Sequence, residues 1–432
     1  MESAPSGNPL RVAAMWRTPI FQWLGGDHPM MTSLLAPRSG YEFLLDMPAT
    51  DAAARARAEA GLAGLSATLR AAAPMATDKE IAEFVASRDL NSQAEVEAAD
   101  PDLVFPHSMP FVDLRRPWIS HIEELLPLFA PFFWHGTSAD RSVHRTPVWH
   151  LVRAMLEHPS CRALSSHLRH SVDWIGKLFE SPAIAAKTRH IPFGFAFPPD
   201  VEAHVAAAQS ARETRTGCTF LFTNSWFQAE PSFILRGGME VLAAYGHLVR
   251  KRPDCRLILR TKLPTKIMGP GFDSFVRSIP NVEVIDGKLD YAAFVDLFLR
   301  ADVFLLPSCG LHTVSLVEAM ASGAAVIASD APGVDEFLHD GETGIATKGR
   351  LGKLSWYDEH GFLRQTFEPL KKSFDADFAA NLLAAMESLA RDTARRRALS
   401  RAGYAHVRAN HAMGPWVDGF GRMLDDVREG LR

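Results

Sequence analysis

Several familiar signatures are missing from this 432-residue chain, and each absence removes a class of function. Its four cysteines, Cys161, Cys218, Cys255 and Cys309, stand far apart with no C-x-x-C and no metal-ligand spacing. Neither a disulfide framework nor a zinc site is implied, and reduced thiols in a cytoplasmic protein are expected. No apolar run approaches the roughly 20 residues that cross a bilayer. The first residues, MESAPSGNPLRVAAMW, have no basic segment followed by an apolar core, so no secretory leader is expected. A net charge of −4 without long blocks of like charge gives no general pull on nucleic acid or anionic lipid. The phosphate loop G-x-x-x-x-G-K-[ST], the zinc-protease H-E-x-x-H and the hydrolase elbow G-x-S-x-G are all absent. There is no internal repeat or low-complexity tract.

What is present belongs to an ordinary globular chain, 47% hydrophobic and 22% charged. Its length suits two domains of about 200 residues each. Short apolar runs alternate with helical patterns, the signal of α/β sheets. In the first half, residues 11–16, 41–45, 103–105, 118–120 and 162–164 read as strands, and 51–73 as an alanine-rich helix. Residues 200–217 are polar and alanine-rich and suit a connection between domains. Strands at 219–222, 256–259 and 281–285 follow, with helices at 237–250 and 291–300. Residues 374–391 and 402–432 supply the last helices.

The most informative stretch is 301–347, ADVFLLPSCGLHTVSLVEAMASGAAVIASDAPGVDEFLHDGETGIAT. Val303 to Leu306 is an apolar run of the kind buried on both faces of a parallel sheet. Thr313 to Ser322 reads as a helix stopped by Gly323, and Ala325 to Ala328 as the next strand. Such a unit sets a helix N-terminus at the carboxyl edge of the sheet, where N–H groups favour a phosphate. Glu318 stands near the same edge, so a nucleotide ligand is expected.

PSxxxxxxSLxEAMAxGxxVIASDxxGxxExxxDGxTG resembles the donor-binding segment of retaining glycosyltransferases of the GT-B fold, family 4, also described as glycosyl transferases group 1. Glu318, Ala319, Met320, Gly323, Ser329, Asp330, Gly333, Glu336, Asp340, Gly341, Thr343 and Gly344 are in register. The resemblance implies an α/β architecture of two Rossmann-like domains facing each other across a cleft. Residues 1–205 would bind the acceptor and 206–405 the nucleotide-sugar. Residues 406–432 would form a C-terminal helix crossing back to the first domain, anchored by Trp416 and Phe420. His190 to Gly194 resembles the turn that closes the first domain.

By the same resemblance, Glu318 is the second acid of a Glu-x7-Glu signature and holds the donor ribose. The first acid's place is taken by Gly310. Arg236, before Gly237-Gly238, falls at the diphosphate-binding basic position. A second basic residue is replaced by Asn224 or Ser225, and Lys262 or Arg260 could supply that charge. The N–H groups near His312, Thr313 and Val314 would face the diphosphate, with His312 either touching the ligand or capping the helix. Val284 and Ile285 are candidates to hold the base, or are plain core residues. Gly25-Gly26 matches a glycine loop facing the diphosphate. A catalytic histidine beside the transferred sugar is sought among His121, His107 and His135, with Glu123 at the aligned position.

Asp375-Ala376-Asp377 looks like a metal-binding D-x-D but reads as a helix cap, so no metal and no bound cofactor are expected, the nucleotide diphosphate-sugar being a co-substrate. The expected function is transfer of a hexose to an acceptor hydroxyl on a saccharide, lipid-linked, protein or small-molecule partner. A peripheral membrane contact stays open, as do the base and the sugar. A catalytically silent GT-B subunit is the alternative, motivated by Gly310, and a phosphorylase or epimerase on the same fold a third.

Overall fold

The computed structural model describes residues 8–22, 32–132, 143–224, 230–349 and 374–431. Gly25, Gly26, Ser225 and His135 lie outside the described residues. The chain divides into two units, one of residues up to 194 with 414–431, the other running from 195 to 413.

In the first unit, strands β1 (Leu10–Ala14), β2 (Tyr41–Leu44), β3 (Leu103–Phe105), β4 (Trp118–His121), β5 (Cys161–Ser166) and β6 (Thr188–His190) form one sheet. Its order is β2-β1-β3-β4-β5-β6 and every pairing is parallel. Parallel strands need crossovers, and helices supply them. The helix Ala52–Ala72 between β2 and β3 begins where Asp51 accepts the Ala54 N–H at 2.6 Å. The helix Met413–Glu429 buries Trp416, Phe420, Met423, Leu424 and Val427, one stripe at helical spacing. Phe420 stacks on Phe105 of β3 and Trp416 stands edge-on to His121 of β4, ring centroids 5.1 Å apart in each case. The end of the chain is therefore part of the first unit.

The second unit repeats the architecture with β7 (Cys218–Thr223), β8 (Cys255–Arg260), β9 (Val282–Ile285), β10 (Val303–Leu306), β11 (Ala325–Ser329) and β12 (Ile345–Thr347). The order is β12-β11-β10-β7-β8-β9, again wholly parallel. Every residue of β10 and β11 is buried, as their unbroken apolar character requires of strands covered on both faces. β7 and β10 lie side by side, so the connections leaving them meet at one carboxyl edge.

Residues 200–217 are not an open connection. They fall largely within the helix Pro199–Thr214, which belongs to the second unit and buries Val201, Val205 and Arg212. The Arg212 guanidinium donates to the carbonyls of Ala301 and Ser322 at 2.8 and 2.6 Å, and to those of Phe298 and Leu299 at 2.6 and 3.2 Å. These carbonyls end the helices Tyr291–Arg300 and Thr313–Ala321, where acceptors are left over and the dipole favours a cation. Burial lowers the Arg212 pKa to about 10. Arg212→Met keeps the stem but leaves these carbonyls without their donor. It should cost about 3 kcal/mol, seen as an earlier chemical or thermal unfolding transition. A loss under about 0.5 kcal/mol would mean that water replaces the guanidinium without penalty.

Candidate functional site

The site is built on the turns that leave β7 and β10. After β7 the short helix Pro231–Leu235 delivers Arg236, then Gly237, then the helix Gly238–Lys251. Gly237 has φ +79° and stands where a Cβ would come within 2.4 Å of the Pro307 carbonyl oxygen. Only glycine permits both the left-handed backbone and this approach to the loop after β10. That loop is fastened from its own side, for the Cys309 N–H donates to the Leu235 carbonyl at 3.1 Å.

Arg236 is consequently pressed into the junction, only 8% exposed. No hydrogen-bond acceptor among the described residues meets its Nε. Burial, with the nearby Arg260 charge adding to it, lowers its pKa to about 10. A buried guanidinium without a carboxylate is costly in a folded chain, and an anion would relieve it.

His312 precedes the helix Thr313–Ala321 but its side chain does not cap it. Its Nε2 lies 3.0 Å from Ser308 Oγ, and burial followed by the Arg236 charge holds the imidazole well below its ordinary pKa. A neutral ring therefore sits beside the cation. Ser329 in turn donates to the Ser308 carbonyl. The Thr313 and Val314 N–H groups open the helix at this edge. Gly310 leaves its place in the loop without a side chain, and its N–H is 3.4 Å from Ser308 Oγ.

Glu318 lies further along the same helix, 3% exposed. Burial raises its pKa to about 8, against the opposing effect of a hydrogen bond from the Tyr291 hydroxyl to Oε1 at 3.1 Å. Tyr291 starts the helix that follows β9, with Asp290 accepting the Ala293 N–H at 2.8 Å as its cap. Tyr291 was not among the sequence candidates. The signal available was its place as the first helical residue beyond the carboxyl end of a strand.

Arg260 is tied into the protein, donating to the Asn224 carbonyl at 2.6 Å and to that of Gly287 at 3.4 Å. Asn224, at the position lacking a basic side chain, accepts from Ser232 Oγ at 2.9 Å. Lys262 follows β8 and is exposed. Val284 and Ile285 lie half-buried on β9, the edge strand, and the Ile285 carbonyl accepts from the Thr261 N–H at 3.1 Å.

In the first unit His121 must be corrected. It is fully buried, with Nδ1 2.9 Å from Ser165 Oγ and Nε2 2.9 Å from His167 Nδ1. With both nitrogens engaged it fastens β4 to β5 and offers nothing to a ligand. His107 is half-buried, its Nε2 4.0 Å from Glu123 Oε1. Asp375 is a cap, accepting the Phe378 N–H at 3.0 Å.

Residues 236–378, beginning at Arg236, match the family model described as glycosyl transferases group 1. Over 226 residues the chain is 30% identical to phosphatidyl-myo-inositol mannosyltransferase of Mycobacterium tuberculosis, covering 50% of this chain and 52% of that protein. The chain thus spans about half the length of the curated relatives it matches. Among solved structures it is similar to sucrose-phosphate synthase from Thermosynechococcus elongatus, with TM-score 0.55 and 16% identity over 82% of this chain and 80% of that one. HepE of Anabaena, solved in complex with UDP and glucose, gives TM-score 0.51 and 14% identity over 76% and 78%. The two parallel-sheet units have the GT-B fold, and the group 1 match covers both Arg236 and Glu318.

The state of Glu318 has a measurable consequence. Its folded pKa lies above the unfolded value, so the folded chain retains a proton that the unfolded chain has lost between about pH 4.5 and 8. The resulting stabilisation is complete below about pH 4.5 and disappears as pH rises through 8. Glu318→Gln, which stays neutral, should match the parent at pH 5 and exceed it by about 2–5 kcal/mol at pH 9 in melts without ligand. Equal stability at both pH values would show that the carboxyl is not held neutral.

Proposed function

We propose that this protein is a retaining glycosyltransferase that moves a hexose from a nucleotide diphosphate-sugar to an acceptor hydroxyl, without a metal. The observation that carries the reading is Arg236, a buried guanidinium whose Nε has no acceptor among the described residues, beside the first turn of the helix Thr313–Ala321. A diphosphate supplies what is missing there. Arg236 and the helix N–H groups neutralise the charge that grows on the leaving phosphate, a stabilisation that increases toward the transition state. Lys262 is exposed at the same sheet edge and is the proposed second cation. The backbone at Val284 and Ile285 is proposed to hold the base, and Glu318 to accept from the ribose hydroxyls.

In the reaction the bond from sugar C1 to the diphosphate oxygen breaks while the acceptor oxygen bonds to C1 on the same face. The acceptor proton passes to the departing phosphate oxygen. No protein nucleophile is required, in keeping with His121 being taken up inside the first unit. The acceptor is assigned to the first unit, and its identity is open between saccharide and lipid-linked hydroxyls. The mycobacterial relative, a mannosyltransferase named for a phosphatidylinositol acceptor, supports including a lipid acceptor in the test.

The test has two arms. UDP, GDP and ADP, and sugar donors such as UDP-glucose and GDP-mannose, are first screened by thermal shift. A ligand at 100 times its dissociation constant stabilises by about 2.7 kcal/mol. Nucleotide release is then followed with the binding donor and candidate acceptors. Arg236→Ala and Glu318→Ala should each lose about 90% or more of the turnover while remaining folded. Full turnover in both variants would remove the site assignment, and no release with any pair would remove the transferase reading.

A further inference from the structure

Two helices of the second unit meet at Glu318. The helix Thr313–Ala321 carries the carboxyl, and the helix Tyr291–Arg300 brings the Tyr291 phenol to Oε1 at 3.1 Å. The contact is one-sided. Oε1 has its donor, whereas Oε2 has no hydrogen-bond partner among the described residues. Oε2 is not among the fully buried unpartnered atoms, so it is open to an approaching donor. The phenol is also held firmly, because Tyr291 is the first residue of a helix whose start is fixed by the Asp290 cap.

The surroundings single out this donor. β11 packs on the carboxyl-bearing helix with Ala325, Val326, Ile327 and Ala328 among its residues. The helix Thr393–Asn410 brings Gly403 up to Met320. Neither element places a charge that bears on Glu318, and among the described residues the Tyr291 phenol is the one titratable group that does. The Arg236 charge acts on His312, which precedes the carboxyl-bearing helix, and neither is among the groups that bear on Glu318.

We propose that Tyr291 is a positioning residue for nucleotide binding: its hydroxyl anchors Oε1 of Glu318, presents Oε2 to the cis-diol of a ribose, and allows the carboxylate to carry its charge in a buried place. The proposal rests on the reading of Glu318 as the ribose acceptor. When the two ribose hydroxyls donate to the carboxylate, the phenol remains as a further donor, so the charge is shared among three hydrogen bonds. Without the phenol the same carboxyl must ionise with ligand donors alone, and the carboxyl of the free protein is harder to deprotonate.

The experiment is calorimetric titration of the full chain with the tightest binder among UDP, GDP and ADP, from pH 6 to 9.5. Wild type, Tyr291→Phe and Glu318→Gln are compared, the last profile showing only the nucleotide's own titrations. Wild-type affinity should climb with pH and level off above about 8, the value to which burial raises Glu318. Tyr291→Phe should move that midpoint up by about one unit, binding about tenfold more weakly at pH 7 and within about threefold of wild type at pH 9.5. Tyr291→Gln and Tyr291→Leu differ chiefly in a side-chain donor and serve should the Phe variant not fold, the Leu variant alone showing the raised midpoint. An unmoved midpoint, or a loss equal at every pH, overturns the proposal while Glu318→Gln still weakens binding. If Glu318→Gln binds as wild type does, the ribose reading of Glu318 falls as well.

Discussion

A buried guanidinium that meets no carboxylate among the described residues is the constraint on which the reading of the second unit depends. Taking a cation out of water costs several kcal/mol unless it is paired, and Arg236 is covered with its Nε left unmatched. Its position follows from β7 and β10 being neighbours, which forces the turns leaving them against each other. Gly237 against Pro307, and the Cys309 N–H on the Leu235 carbonyl, close the junction in which Arg236 stands. Arg260 cannot offset the charge, since it is itself cationic and satisfies carbonyls of Asn224 and Gly287. The folding free energy that tolerates this arrangement comes from elsewhere, from strands such as β10 and β11 that are apolar and buried along their whole length.

Each unit is built on six parallel strands, in different orders, and the polar groups picked out at their strand ends are placed differently. In the first, the histidines at the strand ends are consumed internally. His121 bonds Ser165 and His167 while Trp416 closes over the pair, its Nε1 donating to Ser33 Oγ at 2.9 Å. In the second, a cation and a carboxyl are both left partly unsatisfied. Buried polar groups are normally matched, and under the proposed reading a ligand supplies the partner that Arg236 Nε lacks among the described residues.

Much of this was legible in the chain. Continuous apolar runs announced β7, β8, β10 and β11 because strands buried on both faces have no polar side to blur the pattern. Arg236 and Glu318 were chosen as candidates because their neighbours carry a recognisable spacing, and the structure buries both. The helix Pro199–Thr214 was read as a connection since its buried stripe includes Arg212 and only a few apolar residues, and an arginine that caps two distant helices looks the same in sequence as one in solvent. His121 misled for a similar reason: a histidine ending a strand has the same sequence appearance whether it faces a ligand or Ser165 and His167. Tyr291 was not singled out, because its place at a helix start says little until the fold brings it to a carboxyl 27 residues further along the chain.

Arg236 and Glu318 are complementary defects. One is a guanidinium whose Nε meets no acceptor among the described residues, the other a carboxyl whose pKa burial raises. A nucleoside diphosphate, under the proposed reading, carries both remedies in one molecule: phosphate oxygens for the guanidinium and hydroxyl donors for the carboxyl. Phosphate alone would settle the first and leave the second, and a nucleoside alone the reverse. Under that reading each half of the ligand would bring a favourable change that the other half cannot, which favours the intact nucleotide over either part. The loop from Ser308 to His312, which the proposed reading sets against the diphosphate, is itself tied down through Ser329 and the Leu235 carbonyl.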